Sequence, residues 1–169
     1  NLGRVSLTTV LAQSSNVGAA RVALTLEPQA IWRTLSAFGV GKLTDSTYPG
    51  ESAGVLNDPK HWRTVGHATL SYGYGVAVTA LQLARAYGAI ASDGVLRPVS
   101  MLALDEAPPG EQVISPTTAQ GLTEMLEAVV SPAGTGQRAA IRNFRVAGKT
   151  GTSQKAGVGG HSQDRHAAI

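Results

Sequence analysis

The stretch Ala147-Gly148-Lys149-Thr150-Gly151-Thr152-Ser153 decides how the rest of the chain is read. It follows a strand-like run from Asn143 to Lys149. A phosphate loop needs Gly-x-x-x-x-Gly-Lys-Ser/Thr, and its first glycine would fall where Asn143 stands. An anion-binding strand edge fits better. Lys149 supplies a fixed positive charge, and Thr150 and Thr152 share one face because alternate strand residues do. Gly151 between them lets a ligand approach the backbone. Such an edge grips a carboxylate and offers a backbone N–H to a developing oxyanion. The plain alternative is a hairpin strand with a solvated lysine.

Upstream of this stretch the sequence is mainly helical. Leu7 to Leu26 forms two short helical pieces around Ser14-Ser15-Asn16. Ser and Asn there are good N-caps, because their side chains accept a bond from an orphan helix N–H. From Pro28 to Phe38, Ile31, Trp32, Leu35 and Phe38 share one helical face, and Gly39 and Gly41 end the helix. Thr44 to Arg63 is rich in Ser, Gly, Pro and Asp and predicts a long surface loop. In the helix predicted over Val78 to Ala91, Ala80, Leu83, Ala84, Tyr87 and Ala91 follow the helical period, and Gly94 closes it. Val95 to Leu104 predicts an edge strand carrying Pro98. Ser115-Pro116 starts another helix, with Leu122, Met125, Leu126, Val129 and Val130 on its buried face. Gly157 to Asp164 predicts a flexible loop, and His166 to Ile169 the returning strand of a hairpin. Helices first and a strand pair last predict an α+β fold, an antiparallel sheet flanked by helices.

Composition narrows the function classes. The 169 residues include 43% hydrophobic and only 15% charged residues, so the chain is rich enough in apolar side chains to fold. No apolar run approaches the roughly 18 residues of a membrane span. Fourteen Lys and Arg stand against eleven Asp and Glu. The excess is scattered rather than clustered, so no nucleic acid partner is expected. With no Cys, disulfides, zinc-thiolate sites and a cysteine nucleophile are excluded. The chain opens Asn1-Leu2-Gly3-Arg4 without Met, and Arg165 to Ile169 reads as the beginning of a strand. Both features predict a piece of a longer protein. Residues 1–169 are then part of a single domain, and the strand that they end on lacks its partners.

Ser14-Ser15-Asn16 is the second stretch with chemical content. It is either plain capping or a hydroxyl and an amide presented together, where Asn bonds a substrate amide and Ser relays a proton. Ser-x-Asn followed by Lys-Thr-Gly on a late strand resembles the penicillin-binding serine acyltransferases, whose motifs are Ser-x-x-Lys, Ser-x-Asn and Lys-Thr/Ser-Gly. The long spacing resembles class B penicillin-binding proteins, and within them the septal, cell-division peptidoglycan transpeptidases. Leu7 to Gly18, Gly50-Glu51-Ser52-Ala53-Gly54, Ser71-Tyr72-Gly73-Tyr74-Gly75, Thr79 to Arg85 and Gly134-Thr135-Gly136 are similar to stretches of that family too. One motif is missing: no Ser in this chain has Lys three residues later.

The resemblance implies a penicillin-binding, serine β-lactamase-like transpeptidase fold, incomplete in this chain. It implies that an activated Ser, upstream of Asn1, attacks the D-Ala-D-Ala carbonyl of a peptidoglycan stem peptide. Ser14 would shuttle a proton to the leaving amine, and Asn16 would bond the substrate amide. Lys149 would set a positive field and hold Ser14 by a hydrogen bond. Thr150 and Thr152 would bind the terminal carboxylate beside Gly151, with the Thr152 N–H in the oxyanion hole. Ser15 has no implied role. Tyr72 and Tyr74 line the cleft edge or pack within their own loop. β-Lactam antibiotics would act as suicide substrates. No cofactor is implied. The family works at the periplasmic face of the bacterial cytoplasmic membrane, among division-complex membrane proteins.

Two rivals share the motifs. A serine β-lactamase of the Glu-x-x-x-Asn kind is disfavoured, since no Glu here has Asn four residues on. A non-catalytic penicillin-binding sensor or scaffold would keep the fold and lose the upstream Ser. His161, Asp164 and His166 are metal ligands by residue type, but solvent-facing polar roles fit their Gly-rich loop better, and no metal is expected.

Overall fold

The computed structural model describes the backbone of residues 3–157 and 160–168 and the side chains of residues 3–151. The helices are α1 (Leu7–Ala12), α2 (Asn16–Ala23), α3 (Pro28–Ala37), α4 (Thr64–Leu70), α5 (Ala80–Ala91) and α6 (Pro116–Val130). The strands are β1 (Val55–Leu56), β2 (Val76–Ala77), β3 (Val95–Leu96), β4 (Glu111–Gln112), β5 (Gly151–Gly157) and β6 (Gly160–Ala168). The strands pair antiparallel as β1–β2, β3–β4 and β5–β6. The fold is α+β, as the order of helices and strands predicts. The chain forms two compact units, Asn16–Leu122 and the paired segments Asn1–Ser15 and Thr123–Ile169.

In the unit Asn16–Leu122, α3 starts at Pro28, whose ring presets φ where no N–H is needed. Its predicted face of Ile31, Trp32, Leu35 and Phe38 is half-buried, and Gly39 and Gly41 follow at φ +88° and +78°. Helix α5 begins with a capping box. The Thr79 hydroxyl accepts from the Gln82 N–H, and the Gln82 amide oxygen accepts from the Thr79 N–H. The rest of Gln82 turns inward. Its Nε2 donates to the carbonyls of Lys42 at 2.6 Å, Ala53 at 2.8 Å and Gly39 at 3.3 Å. Gln82 is 3% exposed.

This hub corrects the predicted face of α5. Ala80, Leu83, Ala84, Tyr87 and Ala91 all lie exposed, while Gln82 and Ala89 are buried. Three backbone carbonyls competing for one amide turn the helix more firmly than scattered alanines do, because buried carbonyls left unpaired are costly.

The loop predicted over Thr44 to Arg63 is not simply surface. Thr44 and Ser46 are fully buried, and the segment holds β1 and a 3-10 turn at Pro59–His61. The Glu51 carboxylate gathers the loop. It accepts from the Thr44 N–H at 2.9 Å, the Thr44 hydroxyl at 2.5 Å and the Ser46 hydroxyl at 2.9 Å. Those bonds, led by the Thr44 hydroxyl, hold the Glu51 carboxyl below the usual carboxylate range. Gly54, at φ +67°, lies where any side chain would strike the Ala77 carbonyl across the β1–β2 pair. Helix α4 escapes sequence reading, since Arg63 supplies no side-chain cap and Gly66 interrupts its pattern. Strand β3 ends at Leu96, short of the predicted Val95 to Leu104, because Pro98 cannot extend the ladder.

In the unit of Asn1–Ser15 and Thr123–Ile169, the C-terminal half of α6 buries Leu126, Val129 and Val130, as its spacing predicts. Two strand boundaries differ from expectation. Asn143 to Lys149 is not a strand: Asn143 turns at φ +70°, and pairing begins at Gly151. The loop predicted over Gly157 to Asp164 is largely strand, since β6 begins at Gly160. Backbone pairing supplies what the polar, Gly-rich composition conceals. The side chains of His161, Asp164 and His166 lie outside the described residues.

Candidate active site

Helix α1 brings the first candidate group into place. Ser6 caps its start, accepting from the Thr9 N–H at 3.2 Å. At its end the Ser15 N–H reaches the Val10 carbonyl at 2.9 Å and the Ser14 N–H reaches Leu11 at 3.0 Å. This is the double closure of a Schellman motif, which puts one residue in the left-handed region. That residue is usually glycine; here it is Ser14, at φ +50°. Ser14 is therefore the residue that ends α1, not the N-cap of the next helix, and α2 starts at Asn16. A left-handed non-glycine costs about 1–2 kcal/mol, and such strain clusters at functional sites.

Lys149 meets Ser14 across 135 residues of sequence, its Nζ donating to the Ser14 Oγ at 2.7 Å. The same ammonium donates to the Thr150 carbonyl at 2.9 Å and makes a longer 3.4 Å contact with the Thr150 hydroxyl. Lys149 is half-buried, and that burial pulls its pKa below the ordinary lysine value. An ammonium is donor only, so Ser14 accepts from it and keeps its own hydroxyl proton free to donate elsewhere. A hydroxyl so poised can pass a proton to a leaving group and be resupplied from the lysine side.

A short strap completes the geometry. The Gln13 amide donates to the Ala133 carbonyl at 2.6 Å, and the Thr135 N–H donates to Ala12 at 3.0 Å. Gly134 and Gly136 let the strap cross the end of α6: a side chain at 134 would strike the Val129 carbonyl, and the Gly136 N–H bonds that carbonyl at 2.8 Å. The Thr135 hydroxyl lies 3.0 Å from that of Thr150. Gln13 carries no motif signal in the sequence, whereas Gly134-Thr135-Gly136 belongs to the stretches similar to the family.

Of the predicted site residues, the structure brings Ser14, Lys149 and Thr150 together. Gly151 opens β5, paired with Ala168. Thr152 lies in β5, and its side chain is outside the described residues. Asn16 is the exposed first residue of α2. Tyr72 and Tyr74 pack edge to face, with ring centroids 5.8 Å apart. Among the described residues no group of His, Asp and Glu is arranged to hold a metal, and no helix is long and apolar enough to cross a membrane.

Comparison with known proteins points the same way. The peptidoglycan D,D-transpeptidase FtsI of Escherichia coli K12 is 41% identical over 164 residues, which cover 97% of this chain and 28% of that protein. The probable peptidoglycan D,D-transpeptidase PenA of Neisseria meningitidis is 36% identical over 159 residues, covering 94% of this chain and 27% of that protein. The chain thus spans less than a third of the length of these curated relatives. Among solved structures, the transpeptidase domain of Burkholderia pseudomallei penicillin-binding protein 3 has a TM-score of 0.93 at 42% identity, covering 99% of this chain and 51% of that one. Penicillin-binding protein 3 of Mycobacterium tuberculosis, solved with ampicillin, has a TM-score of 0.86 at 34% identity, covering 94% of this chain and 39% of that one. The family model of the penicillin-binding protein transpeptidase domain matches residues 1–169 from end to end, and with the Ser14–Lys149 pair in place the chain belongs to that family, on its class B side.

Proposed function

We propose that this chain is part of a serine-type D-Ala-D-Ala transpeptidase that cross-links peptidoglycan stem peptides during septum synthesis and is acylated by β-lactam antibiotics. The observation that carries this is the 2.7 Å bond from Lys149 to Ser14, which joins the first residue of the Ser-x-Asn motif to the lysine of Lys-Thr-Gly.

The nucleophile belongs to sequence upstream of Asn1, since no Ser of this chain has Lys three residues on. Its Oγ bonds the carbonyl carbon of the penultimate D-Ala, the peptide C–N bond breaks, and terminal D-Ala leaves as an amine. The proton that the nucleophile hydroxyl gives up reaches that amine through Ser14, which Lys149 holds. A neighbouring stem amine then attacks the acyl carbon, the ester bond to the serine Oγ breaks, and the proton that the amine sheds returns by the same route to that Oγ. Thr150 and Thr152 bind the terminal carboxylate beside Gly151, with the Thr152 N–H toward the oxyanion. Asn16 bonds the substrate amide. Residues 1–169 form part of a single transpeptidase domain that works at the periplasmic face of the cytoplasmic membrane, beside division-complex membrane proteins. No cofactor enters these steps.

Intact-mass spectrometry after incubation with a penicillin tests this. The full-length protein is expected to gain one stable penicilloyl adduct, mapping outside residues 1–169. An adduct on a Ser within these residues would overturn the assigned roles. Rapid turnover of the adduct would favour a serine β-lactamase, and no adduct a sensor or scaffold.

A further inference from the structure

We propose that Thr135 is a positioning residue for carboxylate recognition: its hydroxyl donates to the Thr150 hydroxyl and so directs the Thr150 proton toward the ligand's carboxylate. This rests on the transpeptidase function proposed above. The observation behind it is a continuous polar chain, from Ser14 Oγ to Lys149 Nζ at 2.7 Å, on to Thr150 Oγ1 at 3.4 Å, and from there to Thr135 Oγ1 at 3.0 Å.

Either hydroxyl can donate in the last bond, and with a ligand carboxylate on Thr150 proton counting sets its direction. A threonine hydroxyl has one proton and two lone pairs, and an ammonium only donates. One Thr150 lone pair therefore faces Lys149. If Thr150 donated to Thr135, its one proton would be spent inside the protein, and a carboxylate would meet only lone pairs. If Thr135 donates, both lone pairs of Thr150 are filled and its proton must point along the remaining direction. A carboxylate is acceptor-only when ionised, so only this second arrangement gives it a hydrogen bond from Thr150.

The strap supports a positioning role. The Thr135 N–H is fixed on the Ala12 carbonyl at 3.0 Å, and the glycines on either side place the strap against the end of α6. The same residue therefore ties its backbone to the helix that delivers Ser14 and its hydroxyl to the residue beside Lys149. Thr135 itself is exposed, so replacing its hydroxyl leaves no buried group unpaired at that position.

The test uses the full-length protein and two probes, a penicillin and its methyl ester, which differ only in the carboxylate. The readout is the ratio of their second-order acylation rates. Thr135→Val and Thr135→Ala are expected to lower the preference for the free acid by about tenfold, the weight of one charge-assisted hydrogen bond. Thr135→Ser, which keeps the hydroxyl, is expected to restore it. Thr150→Val is expected to lower the preference similarly, and Thr135→Val to add little on top of it. Equal losses with both probes would mean a merely structural role and overturn the inference. So would a Thr135→Ser protein as impaired as Thr135→Val. A parent protein acylated by neither probe would instead overturn the proposed function, and the inference with it.

Discussion

The chain carries two polar clusters of similar make-up, and they differ in what they leave open. Around Glu51 and Gln82, hydroxyls and amides close on one another. Thr44, Ser46 and Gln82 are at most 3% exposed, and the carboxylate and amide spend their bonding capacity on backbone and hydroxyl partners. Around Lys149 the bonds run out to the surface. Lys149 is half-buried, Ser14 and Thr135 are exposed, and Ser14 occupies a backbone region that glycine would take more cheaply. A closed cluster contributes to stability, because each of its groups would be unsatisfied without the others. An open one leaves protons and charge facing outward, and its strain and desolvation are costs that the rest of the fold offsets.

The largest effect that separates the two clusters is expected at Lys149. Lys149→Met should slow acylation of the full-length protein by a penicillin at least about a hundredfold. Burial lowers the Lys149 pKa, so at neutral pH the ammonium opposes folding slightly, and that cost fades as pH rises toward the ordinary lysine value. The melting temperature of Lys149→Met should therefore hold or rise at neutral pH. In the parent protein acylation should fall as pH rises through the lowered Lys149 pKa, where the positive charge beside Ser14 is lost. A large drop in melting temperature for Lys149→Met would place this lysine with the closed cluster instead.

Gln82→Ala is expected to do the opposite. It strips partners from the carbonyls of Lys42 and Ala53 and from the Thr79 N–H, at a cost of about 3 kcal/mol. Denaturant unfolding should report this as a lower midpoint. An unchanged midpoint would mean that water replaces the amide and that the cluster is not closed.

The smallest effect is expected at Glu51. Its carboxyl is held below the usual range in the folded protein, so the stabilisation is present above the ordinary carboxylate pKa. It is lost as pH falls through the lowered value. Melting curves of the parent and Glu51→Gln should differ at pH 7 and converge in acid. A constant gap would show that shape, not charge, holds Thr44 and Ser46.

Much of the site was legible because its two motifs are short and local. Ser14-Ser15-Asn16 stands between two helices, as its capping residues predict, whereas Lys149-Thr150-Gly151, read as part of a strand edge, lies at the entry to β5, which begins only at Gly151. Other features were not legible. Ser14 reads as a helix N-cap because Ser favours that place, yet it ends the preceding helix in a position where Gly is the usual choice. The apolar residues of α5 follow the helical period and place the helix, but which of its faces is buried is decided at Gln82. A lone Gln carries no periodic signal, and its worth depends on three carbonyls from other segments.

The sequence by itself determined the family, the α+β order of elements, the burial of Leu126, Val129 and Val130, and the residue types available for chemistry. Helical period, capping and motif spacing act within a few residues, so they are written locally. Only the tertiary structure decided that Lys149 reaches Ser14, that Thr135 stands against Thr150, and that Gln82 rather than Leu83 turns inward. Those outcomes join residues from 15 to 135 positions apart or rest on several distant carbonyls at once. A hydrogen bond over such separations depends on the path of the backbone between its ends, which no local pattern encodes.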